Sequence, residues 1–130
     1  MINFLKKNKI VFYLINFCLL FVYLFPGSFF GCILYNDCSV QPQLTANFII
    51  SSNHVYAFFI LSVIGFLTYK GSKSLNLLAI YLVLLSILLE ILHFIIPNRS
   101  FEISDLFGNL TGVVVVIIIN FFLNNEKFKN

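Results

Sequence analysis

Glu90 is the one acidic residue inside a long apolar segment, 75–96, and His93 follows it at a spacing of three. Residues three apart on a helix share a face, so a carboxylate and an imidazole stand side by side. Pro97-Asn98-Arg99-Ser100-Phe101 then leads to Asp105 and Asn109 at the head of the next apolar segment. A carboxylate in hydrocarbon costs several kcal/mol, so intramembrane ionisable residues face protein, water or a partner and mark function. Glu90, Asp105 and His54 are therefore the candidate catalytic residues, as proton donors and acceptors. Arg99, whose planar fork suits a phosphate or carboxylate, is a candidate binding residue together with Asn109 and His93. Structural roles compete with each of these. Glu90 could pair with Arg99 or His93 to fix packing, and Arg99 could touch lipid phosphate. Asp105 could be a helix-starting charge, His54 an interfacial histidine without a partner, and Asn109 a bridge between helices.

The elements that must position these groups are apolar helices. The 130 residues are 60% hydrophobic and 10% charged, with a mean hydropathy of +0.98. Soluble domains carry about a quarter charged residues. The composition predicts an all-α, polytopic membrane helical bundle, a single domain over 1–130 with four transmembrane helices at about 10–25, 54–69, 75–96 and 106–123. A crossing takes roughly 17–25 apolar residues, so the first two are short. Pro26-Gly27-Ser28 ends the first. The N-terminal lysines and the apolar run behind them also resemble a signal peptide. The run is long for one and lacks an Ala-x-Ala site, which favours an uncleaved span.

Lys6, Lys7 and Lys9 precede the first span, Lys70 and Lys73 separate the second and third, and Lys127 and Lys129 follow the fourth. Asp37, Glu102 and Asp105 fall on the other side, with Arg99 as its only strong base. The positive-inside rule predicts both termini in the cytoplasm and the 28–53 and 97–104 loops outside. His54, Glu90, His93, Arg99, Asp105 and Asn109 then share one layer, at or just under the external surface. The net charge of +3 is divided by this topology and implies no nucleic-acid partner.

Cys32 and Cys38 share the outer loop. Their spacing permits a disulfide on an oxidising face but equally two free thiols, and Cys18 reads as packing. Gly108 and Gly112 form a G-x-x-x-G that suits either packing within the bundle or the seam of a helix-mediated oligomer. Glu90-Ile91-Leu92-His93 matches half of a di-metal bundle site, which needs two such motifs and further carboxylates. His54, Glu90, His93 and Asp105 have the ligand chemistry for a single ion, but no spacing is specific for one, so neither metal nor cofactor is assigned. The sequons at Asn98 and Asn109 sit in a short loop and a buried helix and are set aside.

From Glu90 to Gly112 the chain resembles the C-terminal signature of the VanZ-like family. The matching positions are Glu90, Pro97, Arg99, Phe101, Asp105, Asn109 and Gly112, and His54 is similar to a family histidine at the outer start of the second span. Ile50-Ser51-Ser52-Asn53 stands where the family often has an Asp-Lys pair, and His93 where a Gln is common. The resemblance implies a small multi-pass protein of the bacterial inner (cytoplasmic) membrane, associated with the cell envelope and with glycopeptide (teicoplanin-like) resistance. Two readings follow. One is an external polar site for the head group of a lipid or cell-wall precursor, with or without catalysis. The other is a non-catalytic accessory or structural subunit of an envelope membrane complex. Transport is disfavoured, because there is no internal repeat and no pair of broken helices.

Overall fold

The computed structural model describes residues 2–46 and 49–125, so Lys127 and Lys129 lie outside the described residues. Six helices follow in order: α1 (Ile2–Lys7), α2 (Ile10–Leu24), α3 (Phe29–Tyr35), α4 (Ser52–Thr68), α5 (Leu75–Leu92) and α6 (Ile103–Asn125). No strand occurs among the described residues.

α5 and α6 are long and apolar enough to cross a membrane, and α2 with α3 passes the same test only as a pair bent by 79°. α4 is apolar but shorter, at 17 residues. The bend lies where Pro26-Gly27-Ser28 was expected to end the first span. Phe25, held extended by the following proline, has φ −68° and ψ 132°. Gly27 has φ 78°, a left-handed turn that glycine adopts freely. Ser28 then caps α3, its hydroxyl accepting from the Gly31 amide at 3.0 Å.

α5 ends at Leu92 and not at Ile96 as hydropathy suggested. The amides of His93, Phe94 and Ile95 turn back to Glu90, Ile91 and Leu92 carbonyls in three-residue steps, the tightening usual at a helix end. Ile96 precedes Pro97, which disfavours further helix. The chain reverses through Asn98 at φ 58° and is clasped by Phe94 stacked on Phe101, centroids 4.7 Å apart. α6 begins at Ile103, a little before the expected 106, because the Glu102 carbonyl accepts from the Asp105 and Leu106 amides.

α2, α4, α5 and α6 run alternately up and down. At one end Lys9 lies 5.0 Å from the Tyr69 ring and the Tyr13 and Tyr69 hydroxyls meet at 3.0 Å. At the other, Tyr23, His54, His93 and Asn109 converge. The core between them is Phe12, Leu19, Phe58, Leu61, Leu82, Leu89 and Val113 with their neighbours. The outward faces are also apolar, with Phe17 67% and Leu77 68% exposed, so the helices are hydrophobic all round, as in a lipid-facing bundle.

The closest helix pair is α4 with α6, and glycine makes it so. A Cβ on Gly108 would stand 2.7 Å from the Ser51 carbonyl oxygen. One on Gly112 would stand 2.5 Å from the Val55 carbonyl oxygen and 2.8 Å from the Phe59 amide nitrogen. The G-x-x-x-G face is thus filled from within the bundle by α4, and a second chain could use that seam only by displacing α4.

Cys32 and Cys38 are joined in a disulfide, which settles the alternative left open by their spacing. It ties α3 to the turn after it, where the Asp37 carboxylate accepts from the Ser39 hydroxyl and amide. Those two bonds hold the Asp37 carboxyl below the usual carboxylate range. Cys18 is free and lies on an exposed face of α2.

Candidate functional site

The up-and-down arrangement brings the C-terminal ends of α2 and α5 against the N-terminal ends of α4 and α6. His54 enters from the first turn of α4 and Glu90 from the last turn of α5, where His93 is the capping residue. Asp105 lies in the first turn of α6, where the helix N-terminus favours a negative charge, and Asn109 is one turn further on. Glu90 and Asn109 are 0% exposed, and His54 and His93 nearly so. Asp105 is partly open.

Glu90 does not pair with Arg99. Its Oε1 accepts from the Glu102 amide at 3.0 Å. Its Oε2 makes no hydrogen bond, yet lies 3.3 Å from His93 Nδ1 and 4.0 Å from His54 Nδ1. His93 Nε2 is 3.1 Å from the Tyr23 carbonyl oxygen, an acceptor, so Nε2 carries a proton. The remaining ring nitrogen therefore faces the carboxylate.

His54 is bounded in the same way. Asn109 Nδ2 donates to the Ser86 carbonyl at 3.2 Å, which turns Oδ1 toward His54. His54 Nδ1 is 3.0 Å from that oxygen and must donate to it. Nε2 then faces Asp105 Oδ2 at 3.2 Å. Two lone pairs repel at that distance unless one positive charge lies between them. A single proton supplies it, whether written on the imidazole or on the carboxyl, and either way the pair is neutral. The Glu90–His93 pair follows the same rule. Neutral pairs are what a low-dielectric interior tolerates, because unpaired buried charge is far more costly.

Tyr23 is the member the sequence reading missed. Its hydroxyl donates to Asn109 Oδ1 at 2.8 Å and lies 3.2 Å from His54 Nδ1. Its ring stacks on His93 with centroids 6.0 Å apart. The available signal was a tyrosine in the outer turn of the first span, with a polar tip that needs a partner when buried.

Arg99 is placed differently from expectation. It reaches back to the end of α2, where Nη2 donates to the Val22 carbonyl at 3.1 Å and Nε to the Phe25 carbonyl at 3.4 Å. These are orphan carbonyls of a helix C-terminus, which a cation satisfies. Among the described residues Arg99 forms no ion pair. Burial lowers its pKa, against the opposing pull of Tyr23, Glu90 and Asp105, and it remains a cation.

Beside the cluster lies a cavity of about 380 Å³ between the end of α2, α3, the loop that follows it, and α4. Val22, Phe29, Phe30, Leu34, Ala57 and Ile60 supply apolar walls. His54, Arg99, Tyr23 and Asn53 provide polar groups. Asn53 also holds the loop in place, its Nδ2 donating to the Pro42 carbonyl at 2.6 Å and its Oδ1 accepting from the Leu44 amide at 3.0 Å.

No protein family, curated protein or solved structure matches the chain. The chemistry of the site has to be read from its own groups. It combines two shared-proton pairs, a cation at the rim and an apolar recess. The sequence-expected residues His54, Glu90, His93, Asp105 and Asn109 meet in one cluster. Arg99 stands at its edge.

Proposed function

We propose that this chain is a four-crossing protein of the bacterial inner membrane, VanZ-like, with both termini in the cytoplasm. In this reading the His54–Glu90–Asp105 end faces outward and binds the anionic head group of a lipid or lipid-linked cell-wall precursor. The observation that carries it is the cavity, with aliphatic and aromatic walls and with Arg99 and His54 among its lining residues. An amphiphile with a negative head fits that combination. Arg99 commits two of its five N–H groups to α2 and keeps the others for an anion. A cavity of about 380 Å³ holds a head group and its first methylenes, with the remaining tail passing out to lipid.

The lysines at the opposite end, Lys9, Lys70 and Lys73, support the orientation through the positive-inside rule. The disulfide supports an oxidising outer face for the loop that walls the cavity. The VanZ-like resemblance links such binding to glycopeptide (teicoplanin-like) resistance. If the bound head group is also transformed, Asp105 and His54 are the proton-transfer pair, since Asp105 is the member open to a ligand.

The test is lipid and precursor profiling of cells carrying Arg99→Gln, Asp105→Asn or Glu90→Gln, each shown to accumulate in the membrane. Altered head-group or precursor pools are expected. Unchanged pools with an unchanged response to glycopeptide would remove the reading and leave a structural subunit of an envelope complex.

A further inference from the structure

We propose that His54, Glu90 and Asp105 hold a divalent transition-metal ion of the Zn²⁺ class. One nitrogen of His54 and one oxygen of each carboxylate all lie within 4.8 Å of one another. Zinc ligands of these types stand about 2.0–2.2 Å from the ion in a tetrahedron, so neighbouring ligand atoms are roughly 3.3 Å apart. His54 Nε2 and Asp105 Oδ2 are 3.2 Å apart, which already matches that edge. The same separation is long for a charge-assisted hydrogen bond, which favours about 2.7–2.9 Å.

Glu90 supplies the independent observation. Its Oε2 is fully buried, points into the cluster and has no hydrogen bond of regular geometry, with His93 Nδ1 at 3.3 Å and His54 Nδ1 at 4.0 Å as its neighbours. A buried carboxylate oxygen that lacks a well-aligned donor is under-satisfied, and a cation removes that penalty.

Each ligand is also oriented from behind, as metal ligands usually are. His54 Nδ1 donates to Asn109 Oδ1 at 3.0 Å, which leaves the Nε2 lone pair for the ion. Glu90 Oε1 is fixed by the Glu102 amide at 3.0 Å. Asp105 Oδ1 is approached by the Ser104 hydroxyl at 3.4 Å, so Oδ2 is the ligand oxygen. The charge balances when both shared protons leave to solvent as the ion enters, one from His54–Asp105 and one from Glu90–His93, so that two carboxylates meet two positive charges. Imidazole with two carboxylates suits Zn²⁺ better than the soft-ligand metals or an all-oxygen Mg²⁺ site. Three protein ligands leave a coordination position open, the arrangement of reactive and not of structural zinc. The site shares His54 and Asp105 with the head-group reading, and with the ion bound they no longer hold a proton to transfer, but its test uses the metal alone and does not depend on that reading.

The experiment uses the full chain in detergent micelles, without a histidine tag, treated with chelator and dialysed against Zn²⁺. Metal content by mass spectrometry should give about one Zn²⁺ per chain, and the melting temperature should rise with Zn²⁺ concentration, as linkage requires. Asp105→Asn should bind roughly tenfold or more weakly. Cys18→Ser, which removes the one free thiol, should bind as the wild type does. Should Asp105→Asn lose its helical circular dichroism, Glu90→Gln repeats the comparison, because it keeps the acceptor for the Glu102 amide. A wild-type content near zero, an unchanged affinity in the folded carboxylate variant, or loss of binding in Cys18→Ser overturns the proposal.

Discussion

His54 and Asp105 meet at 3.2 Å across the α4–α6 seam, while the other ring nitrogen of His54 is taken by Asn109 Oδ1 at 3.0 Å. The histidine is thus bounded by acceptors on both sides. Helix α6 supplies both of them, one turn apart, and helix α4 can approach closely enough only because Gly108 and Gly112 lack side chains.

Asn109 organises this end of the bundle. Asn109→Ala removes the acceptor of the Tyr23 hydroxyl and of His54 Nδ1, and the side-chain donor to the Ser86 carbonyl, in a buried site. The cost should be about 1–3 kcal/mol for each group left unsatisfied. Tyr23→Phe, which removes one hydroxyl and keeps the ring stack on His93, should cost only about 1 kcal/mol. Thermal unfolding of the two variants in detergent should rank them in that order.

Gly112→Ala should destabilise through overpacking. The new Cβ meets backbone atoms of α4, the Val55 carbonyl and the Phe59 amide, which cannot rotate away. A cost of about 1–3 kcal/mol is expected from such insertion, and Gly112→Leu should cost more. Unfolding measurements check the cost, and the amount of protein recovered from membranes gives a second readout.

Reducing the Cys32–Cys38 bond should loosen the cavity wall without melting the bundle. Closing so short a loop stabilises it by about 2 kcal/mol on the chain-entropy estimate. Limited proteolysis should therefore cut within 39–46 faster after reduction, with α4–α6 left intact. Asp37 adds a pH dependence of known sign in the same turn. Its folded pKa lies below the unfolded one, so its contribution is complete above the unfolded value and is lost as pH falls through the folded value. Proteolysis of the loop should accelerate on acidification toward that range, and Ser39→Ala, which removes the hydroxyl donor and keeps the amide, should weaken the acceleration.

Orientation has its own check. Reporter fusions after Ser100 should be active only outside, and fusions at Gly71 only in the cytoplasm. The reverse pattern would place the polar cluster on the cytoplasmic face.

The convergence of His54, Glu90, His93, Asp105 and Asn109 is legible in the sequence. Hydropathy set the segments and lysine placement set their ends, and together these put the polar residues in one layer. Tyr23 was hidden because a tyrosine in an apolar run has no periodicity to set it apart. The stop at Leu92 was hidden because Phe94, Ile95 and Ile96 continue the apolar run after the helix has tightened and ended. The use of Arg99 as a cap for α2 depends on how the 93–102 turn folds back, which Asn98 and the Phe94–Phe101 stack decide. The three-ligand cluster joins positions from three helices, and no linear spacing encodes that.

The most direct measurement is binding of an anionic amphiphile to the purified chain. Native mass spectrometry in detergent, with a phosphate-headed lipid set against a zwitterionic lipid of the same acyl chains, reads it without assuming a reaction. The wild type should retain the anionic lipid preferentially, and Arg99→Gln should lose that preference while still unfolding cooperatively. Equal retention of both lipids by the wild type, or an anionic preference untouched by Arg99→Gln, would contradict a head-group site at the Arg99–His54 cavity.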